Sequence, residues 1–463
     1  MASGDTDNQT KVVVVMVPFI AHGHLNQLLH LSNLVSSYNI PVHFICTTST
    51  LHQARSRLQG LATSDPMIHF HQFETPPFTS PPPDPTNHFP SHLQSSFEST
   101  LHLRRPVFDF ICSVSKTATR VVVIHDALMS YVVQDVKSIS NAECYNFRPL
   151  SVFYTFWDLW EKAGRPFEVD MELFNKLPSQ NGIVSAEFRL FAKLQHPHMN
   201  NDVGDLFDSS RVIEGEFLEY LEREEISGKK KIWAVGPVNP VHTSDVTVLD
   251  KNRHKCLQWL DKQPVNSVIY VSFGTTTTFT DDQIRELAIG LERSEQRFIW
   301  VVRAADRGDM VGLKDRLVTL PDGFEERVKG KGLIERGWAP QLEILDHSAT
   351  GGFMSHCGWN SSMESISMGV PMATWPMHSD QPRNAVLITE VLKIGVVVKD
   401  WERRNELVTA LAVEKAVITL LGSRQGYEMR KRAAKFGDDI KLSMIEGGAS
   451  RLEMDSFISY IRR

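Results

Sequence analysis

His24 and Asp126 are the residues of this chain best placed to move a proton. His24 follows the apolar run Val12–Val17 and a short loop, Pro18–Gly23, at or near the start of a helical pattern. The positive end of a helix dipole disfavours imidazolium, so the ring is expected to be neutral and able to accept a proton. A general base at neutral pH needs that state. Asp126 closes a second apolar run, Arg120–Ile124, after His125. A buried carboxylate there would orient the imidazole and stabilise its charged form. The chain has 18 histidines, and of its H-x-H pairs His22/His24 and His69/His71 raise the question of a metal. Neither pair has further ligands at a characteristic spacing, so no metal is expected.

A second constellation fills the 44 residues from Trp338 to Gln381. Gly351–Ser355 reads as the end of a strand, and His356-Cys357-Gly358-Trp359 as a tight turn. Asn360-Ser361 stands where a helix N-cap belongs, ahead of Met363, Ile366 and Met368. A glycine turn feeding a helix N-terminus offers free N–H groups and a positive dipole end to an anion. His356 and Ser361 would add side-chain hydrogen bonds to a phosphate. Glu364, one turn on, would accept both hydroxyls of a ribose. Trp338 would stack on a flat base, and Asp380-Gln381 would hold sugar hydroxyls.

These residues need a frame. Val12–Val17, Val42–Cys46, Arg120–Ile124, Val268–Phe273 and Phe298–Val302 are short continuous apolar runs, the pattern of strands buried on both faces of a parallel sheet. Leu25, Leu28, Leu29, Leu31 and Leu34 recur at helical spacing between the first two, which makes a βαβ opening. Thr280 with Gln283 reads as a capping box before Ile284, Leu287 and Leu291. Residues 76–90 hold seven prolines and must be a surface loop. Phe153, Phe156 and Trp157 read either as core or as the wall of an acceptor pocket. Residues 236–252 read as an interdomain linker. The result is an α/β chain of two similar halves around a cleft, with ligands at the carboxyl ends of the strands.

Composition narrows the class. Lys and Arg total 49 and Asp and Glu 55, a net charge of −6, which argues against nucleic acid as a partner. Five scattered cysteines with no C-x-x-C fit reduced thiols in a cytoplasmic setting. No apolar run is long enough to insert stably in a membrane, and without heptads a monomer is expected. The fingerprint G-x-G-x-x-G is missing after Val12–Val17, against a nicotinamide dehydrogenase. The D-x-D at Asp5-Thr6-Asp7 falls in a polar tail, residues 1–10.

The segment from Trp338 resembles the plant secondary product glycosyltransferase box of family 1 UDP-glycosyltransferases. W-A-P-Q opens it, H-C-G-W-N-S with Glu364 forms its middle, and G-V-P-M and D-Q follow. PFIAHGHLN (18–26), YVSFGT (270–275), FIWVVR (298–303), LPDGFEERV (320–328) and GGAS (447–450) extend the likeness across the chain. The resemblance implies a GT-B fold. Residues 11–235 would bind the acceptor and 253–440 the UDP-sugar, and a helix in 441–463 would cross back to the first domain. It assigns His24 as base and Asp126 as its partner. Trp338 would stack on uracil, and Ala339 and Gln341 would meet the base edge and ribose. Glu364 would take the ribose diol. Thr275, His356, Asn360 and Ser361 would bind the diphosphate, and Trp359, Asp380 and Gln381 the hexose. A terminal Gln such as Gln381 is the usual choice for glucose. The implied reaction is inverting and metal-free, with the UDP-sugar a co-substrate rather than a cofactor. Gly23-His24-Leu25-Asn26-Gln27 lacks the proline of the common loop. With VVVIHDALMSYVVQD (121–135) it is similar to the zeatin O-glycosyltransferase branch. A cytokinin hydroxyl is therefore an expected acceptor, beside flavonoids and phenols. C-glycosylation, UDP-xylose or UDP-rhamnose as donor, and a non-catalytic UDP-sugar-binding protein stand as alternatives.

Overall fold

The computed structural model describes residues 10–51, 54, 67–228, 230–241, 253–303, 305 and 318–463. The tail at 1–9, with its D-x-D, and most of the expected linker, 242–252, lie outside the described residues. Thirteen strands form two sheets among the described residues. In chain order they are β1 Thr10–Val17, β2 Val42–Thr47, β3 Ile68–Phe73, β4 Ala118–Asp126, β5 Ala142–Arg148, β6 Gly204–Phe207 and β7 Lys231–Ala234. The second set is β8 Val268–Ser272, β9 Arg297–Val301, β10 Gly332–Glu335, β11 Thr350–Ser355, β12 Met372–Thr374 and β13 Gly395–Val397. The orders are β3-β2-β1-β4-β5-β6-β7 and β10-β9-β8-β11-β12-β13. Pairing is parallel, as in Val17↔His125 and Ser355↔Ser272.

The period-2 alternation of a strand sorts the valine run onto two faces. Val14 and Met16 enter one core layer, and Val13, Val15 and Val17 the other. Each sheet reverses direction of growth once, between β1 and β4 and between β8 and β11. Splayed loops at such a switch point leave a crevice at the carboxyl edge. His24 follows β1, Asp126 ends β4, and the turns at Gly274 and His356 follow β8 and β11. Both predicted constellations therefore sit at the two switch points.

The helices used below are α1 His22–Ser36, α2 Val152–Lys162, α3 Arg211–Leu221, α4 Lys255–Leu260, α5 Asp281–Arg293, α6 Trp359–Ser367, α7 Gln381–Val386, α8 Ala410–Gly422, α9 Arg424–Met444 and α10 Ala449–Ile461. Residues 441–444 finish α9, so the last helix starts later than 441. From α10, Met454, Phe457, Ile458 and Ile461 enter the core layer under the first sheet. Phe457 meets Tyr145 and Trp233 edge-on, each 5.3 Å away. α2 and α3 share one continuous apolar cluster with β8, β11 and α6, so the two domains are packed together over their rear.

Two predicted caps differ. Thr280 does accept the Gln283 N–H at 3.2 Å. The Gln283 amide, however, pairs with the N–H and carbonyl of Val408, where a buried peptide before α8 needs both partners. The N-cap of α6 is Gly358, with no side-chain cap, and Asn360 and Ser361 lie inside the first turn.

Candidate active site

The proton-transfer pair is assembled across 102 residues of sequence: His24 Nδ1 lies 2.7 Å from Asp126 Oδ2. The other carboxylate oxygen accepts the Leu128 N–H at 2.8 Å, so the acid cannot rotate. Asp126 is fully buried, whereas the His24 side chain is 25% exposed. With Nδ1 donating to Asp126, Nε2 is left as the acceptor nitrogen. The Phe19 ring packs edge-on against the imidazole at 5.4 Å. Burial favours the neutral ring, but the Asp126 charge and hydrogen bond, with Asp380 adding, lift the pKa above its ordinary 6.5. The carboxylate therefore outweighs the helix end that the sequence reading emphasised. His125 is turned away, with Nδ1 on the Asp126 carbonyl and Nε2 on Asp202.

The facing wall of the cleft is built from the turns at the second switch point. The His356 ring is sandwiched by two glycines, and a Cβ on Gly274 or Gly358 would come within 2.9 or 2.6 Å of it. Cys357 adopts φ 65° to turn the chain into α6, a strained conformation for a side-chain-bearing residue. Burial drops the His356 pKa to about 4, so the ring is neutral. Its Nδ1 is buried without a partner, and so are the hydroxyls of Thr277 and Thr278. Uncompensated buried polar atoms are costly, and a diphosphate between these turns would satisfy them. Thr277 and Thr278 were not singled out from sequence; the signal was the threonine run after Gly274. Thr275, which was, is half-buried in the same loop.

Trp338 leaves 63% of its surface exposed, with the His254 ring set against it at 90°. Ala339 is buried beside it. Gln341 Nε2 donates to Ser361 Oγ at 3.0 Å and to Glu364 Oε2 at 2.6 Å. Asn360 Nδ2 donates to Glu364 Oε1 at 3.0 Å. Neighbours at i+3 and i+4 on one helix face make this possible. The Asn360 and Ser361 side chains thus bond to Glu364 and Gln341, and the first turn of α6 adds N–H groups of the kind an anion would take.

At the start of α7, Asp380 Oδ2 accepts Asn384 Nδ2 at 2.6 Å. Burial raises the Asp380 pKa to about 6, against opposing pulls from that hydrogen bond and from His24. Gln381 Oε1 accepts the N–H groups of Met377 and His378 at 2.9 and 3.1 Å. Trp359 departs from expectation: it is buried, and its indole N–H donates to the Asp208 carbonyl at 2.7 Å. It seals the two domains together and does not face a sugar.

Phe153, Phe156 and Trp157 also require correction. They are 0%, 0% and 1% exposed in the interdomain core, packed with Phe217 and Phe174. Their periodicity on α2 turns them inward, so they wall no pocket. Phe19, which meets His24, continues into a second aromatic cluster with Phe97, Phe188 and Phe191, in mutual contact at 4.9 to 6.0 Å. Phe19, Phe97 and Phe191 belong to the core layer, and Phe188 is the half-buried ring of the set. Phe89, at the end of the proline-rich loop, bridges Phe188 and His378.

Among the described residues, one group of three metal-ligating side chains comes together: His254, Cys256 and Glu335. Lys255 already neutralises Glu335 at 3.1 Å, and His254 Nδ1 accepts the Cys256 N–H. The group reads as an ion pair bracing the Trp338 platform. No described helix is long and apolar enough to cross a membrane.

Comparison with known proteins gives the chain's family. Residues 10–240 match the family model described as glycosyltransferase, N-terminal domain, and 219–421 that of UDP-glucoronosyl and UDP-glucosyl transferase. The chain is 53% identical to zeatin O-glucosyltransferase of Phaseolus lunatus, covering 98% of both chains. It is 52% identical to zeatin O-xylosyltransferase of Phaseolus vulgaris, covering 99% of both. Its fold matches Phytolacca americana UGT2 complexed with UDP-2fluoro-glucose and pterostilbene, with a TM-score of 0.74 and 25% identity over 98% of this chain and 99% of that one.

Proposed function

This chain belongs to the UDP-dependent glycosyltransferase family, and on that premise we propose that it transfers glucose from UDP-glucose to the hydroxyl of a zeatin-type cytokinin. The transfer inverts the anomeric centre and uses no metal. The observation that carries the reading is the His24–Asp126 pair, held at 2.7 Å beneath an aromatic wall and facing the charge of Asp380. The flat adenine-like acceptor lies against Phe188, the half-buried ring of the cluster that reaches His24 through Phe19, with its hydroxyl at His24 Nε2. His24 takes the proton as the acceptor oxygen forms its bond to the anomeric carbon. The bond from that carbon to the diphosphate breaks, and UDP departs with the electron pair. Asp126 stabilises the imidazolium, which later returns its proton to solvent. The α6 N-terminus and His356, with the threonines after β8, meet the charge growing on the leaving group. Asp380 and Gln381 hold the sugar hydroxyls and so set the hexose.

The relative named for xylosyl transfer makes the donor the sharper question. The test is UDP release by purified protein in EDTA, with UDP-glucose and UDP-xylose each offered with trans-zeatin, cis-zeatin and flavonoids. Product linkage is read by NMR. A β-O-glucoside of zeatin formed in EDTA is expected. Dependence on added metal, a C-glycoside, or UDP binding without turnover would each overturn the corresponding part.

A further inference from the structure

Asn384 is wholly buried and uses its amide in three directions. Nδ2 donates to Asp380 Oδ2 at 2.6 Å and to the Cys357 carbonyl at 2.9 Å. Oδ1 accepts the Ser151 hydroxyl at 2.8 Å. Each partner belongs to a different working part. Asp380 is the carboxylate assigned to the sugar. Cys357 is the left-handed corner of the turn that leads the chain into the phosphate-facing end of α6. Ser151 caps α2 of the other domain, accepting the Tyr154 N–H. The next two amides of α2, those of Val152 and Phe153, are taken by buried Glu214. The amide therefore uses both of its N–H donors and its carbonyl oxygen, and cannot be replaced in kind by a shorter or apolar side chain.

We propose that Asn384 is a positioning residue that sets Asp380 against the donor sugar at a fixed spacing from the diphosphate turn, with Ser151 of the acceptor domain as its reference point. The proposal rests on the reading of Asp380 as a sugar ligand. It assigns donor-sugar recognition in part to a contact between domains, outside the residues that touch the sugar. Without the Asn384 N–H, burial acts on Asp380 with less opposition. Its carboxyl then protonates at higher pH and rotates away from the hexose.

The experiment measures binding of UDP and of UDP-glucose by calorimetry for wild type, Asn384→Ala, Asp380→Asn and the double variant, with donor kcat/KM followed across pH. Loss of a charge-assisted hydrogen bond predicts about ten-fold or greater weakening for UDP-glucose in Asn384→Ala, with UDP itself changed less than about two-fold. The acid limb of donor kcat/KM moves to higher pH. In the Asp380→Asn background, Asn384→Ala has little further effect on the sugar increment, because residues acting through one contact are non-additive. Equal weakening of UDP and UDP-glucose, or full additivity with Asp380→Asn, overturns the proposal. An Asp380→Asn protein that binds UDP-glucose like wild type defeats the sugar-ligand reading itself, and so separates the two failures. Ser151→Ala gives the same pattern at smaller amplitude and serves if Asn384→Ala does not fold.

Discussion

The two walls of the cleft are built by different rules. The donor wall is polar and locally dense. Gln341, Asn360, Ser361 and Glu364 bond to one another within 24 residues of sequence. The wall proposed for the acceptor is apolar; its half-buried ring, Phe188, is backed by the core rings Phe19, Phe89, Phe97 and Phe191. A nucleotide presents the same base, ribose and diphosphate in every reaction, so fixed hydrogen-bond geometry suits it. An acceptor is held by the shape left between packed rings, and shape can be changed one segment at a time. Each wall should therefore fail separately, and the following experiments would join them or divide them further.

The largest effect is expected for His24→Ala. Loss of a positioned base costs roughly 10²–10⁴ in kcat, while calorimetry should show unchanged UDP affinity. A parallel fall in UDP binding would mean the walls are not independent. Phe153→Ala comes next. Truncating so buried a ring removes about 3–5 kcal/mol of stability, seen as a lower denaturant midpoint. The protein that remains folded should keep its acceptor KM. Phe188→Ala, on the half-buried ring of the wall itself, should do the reverse. Trp338→Ala removes the stacking surface, for about 1–3 kcal/mol of UDP affinity, with acceptor KM unmoved.

The smallest effects are in pH. A base that must be neutral loses activity as pH falls through its pKa. Because Asp126 lifts His24 above 6.5, the acid limb of kcat/KM should lie above that value. Asp126→Asn leaves burial dominant and should move the limb down as the rate drops. Stability has its own signature at the back of the interface. Burial raises Glu214 from 4.5 to about 7, so the folded state holds a proton there that the unfolded chain releases. That contribution is fully present below about 4.5 and is lost as pH rises through about 7. Glu214→Gln should flatten the corresponding fall in Tm.

The donor wall was legible because its residues are consecutive and each type answers one part of a nucleotide. The pair His24–Asp126 was legible because both stand at carboxyl ends of recognisable strands, although the sign of the His24 shift needed the 2.7 Å distance. The acceptor wall was not legible. Nothing in sequence marks Phe188 as the half-buried ring among core aromatics, and the cluster Phe153, Phe156, Trp157 left core and pocket wall both open because aromatics crowd there in sequence. Trp359 misled in the same way, since side-chain direction on a helix depends on which neighbour faces it. Asn360 and Ser361 look like caps, but Gly358 makes the turn and frees Asn360 to bond Glu364 and Ser361 to bond Gln341.

The helix Ala449–Ile461 carries a consequence for how the molecule is made. Phe457 completes a layer that Val14, Met16 and the leucines of α1 begin, so the part of that face around Tyr145 and Trp233 stays uncovered until nearly every other described residue has been synthesised. A nascent chain paused after the first domain presents Tyr145 and Trp233 to solvent, with their partner still untranslated. Expressed as two fragments divided at the linker, the first half should aggregate alone. It should dissolve when supplied with the last helix, even on a separate peptide.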